Sequence, residues 1–472
     1  MRRLLSLLVC AAALAACAVG PDYRPPPTPA GAEAPLVSLN PAAETAAAPP
    51  DDWWRLYNDP LLDRLIGEAF AANADLAAAE ANLSAARAVL QASRAGRYPT
   101  TTVAVDAVRG RDPITNEILE INGRPPFTIW KLDDLFNVSY EVDLFGRVRR
   151  AIEASRADAD AVAAARDGLK ITVAAETARA YAQICTLGEE LAVARHSLEV
   201  VAREADITAA RYAAGANAEF DVVRAQGLLA QVRATIPPLE GQRRAAFFQL
   251  AALLGRTPAA APADVQACVT APHLTALIPV GDGAALLKRR PDVRQADRRV
   301  AAATARIGVA TADLYPKISL TGFYGGAAFT LTDLTNQLGQ VWGIGPSISW
   351  TFPNQSLPRA RIRQAKAGAD AALAVFDSTV LQALKETEQA LAAYSAELDR
   401  RQALGEAQDR ARRAFDFARA QYLAGALSQL ELLTTEQSFV AAESAVAASD
   451  AALSQDQIAV FKALGGGWRR PP

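Results

Sequence analysis

The stretch from Val148 to Arg211, VRRAIEASRADADAVAAARDGLKITVAAETARAYAQICTLGEELAVARHSLEVVAREADITAAR, holds no proline and is rich in alanine, arginine and glutamate. Gly168 and Gly188 are its only soft points. As one helix it rises about 95 Å at 1.5 Å per residue, far beyond the usual globular helix of about 11 residues. Arg359 to Leu423 repeats the length and the character. Two such helices in one chain predict a tall object, not a compact domain. A sustained heptad seam of large aliphatics is missing, which argues against a plain two-stranded coiled coil. Alanine favours helix, and its small side chain lets helices pack side by side in a cylinder, with arginine and glutamate facing water.

The flanks of these helices repeat. Tyr212 and Gly215 match Tyr422 and Gly425, and Leu254-Gly255 matches Leu464-Gly465, all 210 positions apart. Asp75-Leu76 and Tyr98-Pro99 find their echo 217 positions on, in Asp292-Val293 and Tyr315-Pro316. The chain therefore reads as a tandem duplication of helix, two strands, long helix, helix. The first copy covers 61–255, with strands at about 100–110 and 127–145. A proline-rich connector covers 256–282. The second copy covers 283–465, with strands at about 317–330 and 341–352, and a tail follows over 466–472. Asp59 with Pro60 starts a helix that runs from Leu61 to Arg97, where Tyr98-Pro99 ends it. Gly110 to Pro126 reads as a polar loop. Pro237-Pro238 predicts a kink or break in the helix from Phe220 to Leu254.

The strands alternate cleanly. In Asn137 to Leu144, one face carries Val138, Tyr140, Val142 and Leu144, and the other Asn137, Ser139, Glu141 and Asp143. Trp342, Ile344, Pro346, Ile348, Trp350 and Phe352 alternate with glycine, serine and threonine. An apolar row bounded by aromatics is the lipid-facing pattern of a membrane barrel, with Phe127, Trp130, Phe145, Trp342 and Trp350 as girdle residues and the polar rows facing water. Four strands cannot close, and lipid does not tolerate open edges, so several chains must pool their strands. A soluble sheet with one wet face is the competing reading. It leaves the long helices and the N-terminus unexplained.

That N-terminus has Arg2 and Arg3, then an apolar run from Leu4 to Leu14 too short to span a bilayer, then Leu14-Ala15-Ala16-Cys17. Residues 1–16 read as a lipoprotein signal peptide and Cys17 as the lipidated residue, leaving 472 − 16 = 456 residues. An ordinary signal peptide cut nearby is the alternative. Ala18 is not the aspartate that retains lipoproteins at the inner membrane, so outer-membrane sorting is expected. Residues 17–60 form a proline-rich extended segment. The formal charge of −2 argues against nucleic acid as a partner. Four cysteines and two histidines leave little material for a metal site. No cofactor is expected beyond the lipid on Cys17.

Taken together, these features resemble the outer membrane efflux protein family, TolC-like, and its NodT or OprM-like lipoprotein branch. The matching residues are Cys17-Ala18-Val19-Gly20-Pro21-Asp22-Tyr23, Trp53-Trp54 with Asp59-Pro60-Leu61-Leu62, Asp143-Leu144-Phe145-Gly146-Arg147, Arg289-Arg290-Pro291-Asp292-Val293, and Lys462-Ala463-Leu464-Gly465-Gly466-Gly467-Trp468. They span nearly the whole mature chain in the family's order. The resemblance implies a mainly α fold with a membrane β portion, in which each protomer gives four strands to a shared trimeric 12-stranded β-barrel on a long periplasmic α-helical barrel. It also implies a homotrimer in outer-membrane lipid, exporting drugs or other small molecules passively with a periplasmic adaptor (membrane fusion protein) and an inner-membrane resistance-nodulation-division (RND) pump.

The turns at Ala214, Gly215, Ala216 and Asn217 and at Ala424, Gly425, Ala426 and Leu427 suit left-handed helix caps; the resemblance makes them the adaptor contact. It likewise makes Asp416, its counterpart Asp206, and Arg419 candidates for a periplasmic constriction, with plain solvated charge as the alternative. Cys185 and Cys268 are the thiols left beside Cys17. They form a bridge that staples the connector to the long helix, which the periplasm favours, or stay as two buried thiols. Three other functions compete with the pump-driven duct: an exit for an ATP-driven secretion system, a structural lipoprotein with a helical stalk, and an anchored hydrolase. No phosphate loop, metal spacing or nucleophile motif supports the last.

Overall fold

The computed structural model describes residues 18–466 apart from 112, 126, 127, 271, 275, 276 and 338. The signal segment, Cys17, Phe127 and the tail 467–472 with Trp468 lie outside these residues. Helices α1 (Pro60–Ala72) and α2 (Ala74–Ala95) come first, after a two-residue strand β1 (Glu44–Thr45). Then come β2 (Thr100–Gly110), α3 (Pro113–Ile121), β3 (Ile129–Val142), α4 (Arg147–Ala213) and α5 (Glu219–Leu253). The connector carries β4 (Ile278–Pro279), which pairs in parallel with β1. The second copy holds α6 (Gly283–Arg289), α7 (Pro291–Ala312), β5 (Lys317–Ala328), β6 (Gln340–Ser349), α8 (Ser356–Leu423) and α9 (Gln429–Ala463).

Helices α4 and α8 are 67 and 68 residues long. Gly168 and Gly188 interrupt nothing. Three expectations need correction. Residues 61–97 are not one helix: Asn73 ends α1, and its Oδ1 accepts the N–H groups of Asp75 and Leu76, capping α2. Residues 110–126 are not merely a loop, since a proline starts α3. Pro237 and Pro238 do not break α5. Both prolines are exposed, so the carbonyls they leave unpaired face water, while Leu228, Val232 and Leu250 hold the helix down on either side.

The chain divides into two compact units, and each draws on both copies of the duplication. The first takes residues up to 26, 83–162 and 296–376. It holds an antiparallel sheet of order β2-β3-β5-β6. A small helical core of Ala157, Ala301 and Ala302 packs against Tyr23. Close alanine contact suits α4 and α7, and an Oγ–Oγ hydrogen bond of 2.7 Å between Ser93 of α2 and Ser155 links α2 to α4.

The second unit takes 27–82, 163–295 and 377–472. Its main core gathers Trp53, Leu65, Ile66, Ile184, Leu250, Ile278, Leu391 and Phe461 around an alanine-rich face of α4. Trp53 stacks on Phe461 at 4.9 Å between ring centroids. Asp59 caps α1 as expected, accepting from the N–H groups of Leu61 and Leu62, and also accepts from the Tyr181 hydroxyl at 2.6 Å. The connector is pinned to α4: Cys185 and Cys268 are joined by a disulfide. One turn on, Gly188 makes room for it, because a Cβ there would lie 2.5 Å from the Cys268 carbonyl oxygen. Arg243 of α5 donates to the carbonyls of Ile184, Gln266 and Cys268.

The bridge closes a sequence separation of 83 residues. Cys185→Ser with Cys268→Ser is expected to lower stability by roughly 2–4 kcal/mol. Thermal unfolding with and without reductant checks this: reductant should lower the wild-type midpoint and leave the double variant unmoved.

Candidate functional site

The sheet has two unlike faces. Register sets Val103, Phe136, Tyr324 and Trp342 side by side in one row across all four strands. Below it on the same face lie Val138 with Gly322 and Ile344, then Tyr140 with Leu320 and Pro346, then Val142 with Ile318 and Ile348. Large apolar groups here stand open: Val105, Trp342, Ile344 and Ile348 are each about 70% exposed. Beyond the Trp342 row the face becomes mixed, with Asp134 between Val105 and Gly326 and Gln340 on the far strand. The strand expected to run to 352 ends at Ser349, so Trp350 and Phe352, stacked on each other, lie just past it; extended backbone from Trp342 to Trp350 spans about 26 Å, or about 20 Å upright at barrel tilt. The opposite face carries Asn137, Ser139, Glu141, Thr321, Ser319, Gly343, Gly345 and Ser347, with one large apolar ring among them, Phe323, lying between Asn137 and Gly343. No helix among the described residues is long and apolar enough to cross a membrane.

Several strand residues fall elsewhere than expected. β3 ends at Val142, and Leu144 lies in a turn that returns its N–H to the Val142 carbonyl. Asp143 does not join the polar row. Its carboxylate accepts the N–H groups of Val148 and Arg149 and caps α4. Trp130 lies six residues, about 20 Å, past the Phe136 row, under the guanidinium of Arg109, and so outside the girdle. Phe145 stacks on Tyr315 at 4.5 Å instead of joining a strand.

The turn after β3 holds the start of the described chain. The Val19 N–H donates to the Phe145 carbonyl, and Ala18 sits where a Cβ on Gly146 would fall, 2.7 Å from its own Cβ. Gly20 meets Gly308 so closely that a Cβ would lie 2.5 Å from the Gly308 Cα. Arg150, whose side chain is 5% exposed, donates to the carbonyls of Val19 and Gly20 and to Asp22 and Glu153. The Tyr23 hydroxyl donates to Asp297, with Arg298 over its ring. The residue after Cys17 is thus fixed at the helix-side end of the sheet.

In the second unit the two helix turns are alike. Gly215 and Gly425 have φ of +76° and +74°, which only glycine adopts without strain. The N–H of Ala216 reaches the Arg211 carbonyl and that of Ala426 the Gln421 carbonyl, both at 2.8 Å, completing Schellman caps. The turns touch: Arg211 lies over the Tyr422 ring at 4.4 Å, and Asn217 donates to the Tyr422 hydroxyl. Ala214, Ala424 and Leu427 complete the turns, and Leu427 packs against a core that includes Tyr422 and Phe439. Asp206 and Asp416 are exposed and do not meet Arg419 within the chain. Arg419 donates instead to Glu204 at 2.6 Å. The reason is helical phase: Val201, Glu204 and Thr208 share the buried face of α4, and Asp206 lies about 200° round from Glu204.

Two blocks of the chain, residues 65–256 and 284–466, match the profile of the outer membrane efflux proteins. The chain belongs to the outer membrane efflux protein family. Outer membrane protein OprJ of Pseudomonas aeruginosa is 31% identical over 98% of this chain and 95% of its own length. The pyoverdine export outer membrane protein OpmQ of Pseudomonas putida is 30% identical over 99% and 98%. The solved outer-membrane channel OprN superposes with a TM-score of 0.86 at 35% identity, covering 96% of this chain and all of its own. Members are channel proteins of the Gram-negative outer membrane.

Within an efflux channel the quoted motifs become packing devices. Arg289 donates to the carbonyls of Pro49, Pro50 and Gly465 and to Asp51. Arg290 holds Asp292, Glu386 and the Ala463 carbonyl. Gly465 and Gly466 let Arg290 and Trp53 approach the end of α9. Sequence reasoning missed Arg150, Glu204 and Glu436. A seven-residue count back from Arg211 reaches Glu204 and would have placed it on the tip-facing stripe.

Arg150→Ala is expected to release residues 18–23, raising their cleavage by a nonspecific protease at least tenfold, while the neighbouring Arg149→Ala leaves it unchanged. Limited proteolysis followed by mass analysis of the N-terminal fragments checks this.

Proposed function

We propose that this channel is the passive outer-membrane duct of a tripartite efflux system, built from three copies and served by a periplasmic adaptor and an inner-membrane RND pump. The observation that carries the reading is the sheet: one face apolar and bounded by aromatics, the other polar, with β2 and β6 each paired on one side only. Buried in lipid, those edges would leave a row of unmet backbone groups. Strand β2 of one copy against β6 of the next satisfies both, and the two run antiparallel as a closed barrel needs. The polar faces then line one water-filled lumen, and no step asks chemistry of the wall.

The lipid belongs to the same reading. We infer that Cys17 carries the acyl chains, and the seating of the residue after it against Gly146, in the turn that follows β3, supports this. The adaptor meets the turns at 213–217 and 424–427, where Phe220, Leu423 and Leu430 stand more than half exposed. Polar gating charges near these turns, Asp206 and Asp416 among them, line the narrow end once three copies surround an axis.

Pairing Val103→Cys or Val105→Cys with Ile344→Cys or Ile348→Cys should give oxidised bands of two and three copies on denaturing gels. Each single variant should stay monomeric there. Purified protein should conduct ions in planar bilayers, and mass analysis should find a mature N-terminus at acylated Cys17. Solitary molecules without conductance would end the duct reading.

A further inference from the structure

The helix ends of the second unit hold a carboxyl group that the duct reading does not use. Glu436 on α9 is 0% exposed, and neither of its carboxylate oxygens has a partner among the described residues. Facing it from α4 is Glu204, 2% exposed, with one oxygen also unpartnered. From α8 comes one cation, Arg419, whose guanidinium donates to Glu204. Helix α5 brings Ala225, Leu228 and Val232 to the adjoining core, and α8 brings Phe415, Ala418 and Tyr422. One heptad further along α9, Glu443 faces His196 and Arg412 and accepts from Ser197, a separate group of charges.

Two buried carboxylates therefore share one arginine. If both were ionised, the core between α4, α8 and α9 would hold an uncompensated negative charge, which a packed interior does not tolerate. A buried carboxyl without an ionic partner keeps its proton instead. We propose that Glu436 is a proton-binding site that latches the turn-bearing ends of α4, α8 and α9 together, so that losing the proton loosens them. The packing part stands on the second unit alone; its meaning as a gate rests on the duct reading.

The sign follows from the burial. Desolvation, with the Glu204 charge adding to it, pushes the Glu436 carboxyl from 4.5 up to about 7, against the opposing pull of Arg419. A raised carboxyl supports the packed state fully below its ordinary value. That support is lost as pH rises through about 7. Mildly acid surroundings keep the ends packed, and mildly alkaline ones free them.

Hydrogen exchange of the full-length chain in detergent, corrected for the intrinsic pH dependence of amide exchange, reads the packing directly. Protection of the amides at 429–443 should fall about tenfold between pH 6 and 8. Glu436→Gln, neutral and near-isosteric, should hold its protection across that range. Glu204→Gln removes the like charge and frees Arg419, so its transition should remain but move to lower pH. Glu436→Leu repeats the test should the glutamine variant fold poorly. Bilayer conductance should rise across the same pH window in the wild type and stay flat in Glu436→Gln. PH-independent wild-type protection, an unchanged transition in Glu436→Gln, or conductance that ignores the window would overturn the latch. Absence of current at every pH would instead count against the duct, and the exchange data would still decide the latch.

Discussion

A backbone amide in hydrocarbon has no water to turn to. This constraint governs the whole chain. Its sheet satisfies every strand on one side and the middle strands on both, and leaves β2 and β6 with an open edge. One copy therefore presents two edge strands whose outward backbone groups have no partner within the sheet. The division of faces follows from the same limit. Groups on the lipid side must be apolar between the two aromatic levels, and groups on the other side are free to be small and polar.

The helical unit solves a different problem with the same economy of residue types. Alanines on α4 let helices approach, and buried polar groups fix how they slide. Every seventh residue of α9 is polar and turned inward: Gln429 meets Thr208, Glu436 lies against Glu204, Glu443 meets Ser197, Asp450 meets Arg401 and Gln457 meets Tyr57. Shifting α9 by one turn would break all of these at once. Polar residues at a core position are a known means of choosing one register among several. The duplication supplies the matching frame, with paired Schellman turns that close α4 and α8 alike.

Much of this was legible from residue order. The duplication, the long helices, the strand pairs and the glycine turns all follow from spacing, and the alternation in β3 and β6 assigned the sheet faces correctly. The failures share one cause, which is that side chains answer to partners far off in the chain. Asp143 fits the polar row by alternation, yet the unsatisfied amides at the start of α4 take it. Arg419 likewise answers to Glu204, which helical phase turns toward it from another helix. The heptad in α9 is written in polar residues, so a seam of large aliphatics does not mark it. Pro237-Pro238 shows the converse: of the kink or break that it signals, the break does not occur where packing on both sides holds a helix whose freed carbonyls reach solvent.

The seating of residues 18–23 has a consequence for how the molecule meets its membrane. Ala18 rests on Gly146 in the turn after β3, and Gly20 on Gly308 of α7. If Cys17 is acylated as proposed, the lipid is joined to the chain one residue before this seated segment and not through a long tether. Copies held in one leaflet by such a short connection would meet by two-dimensional diffusion, so the anchor would act on assembly before it acts on a finished pore.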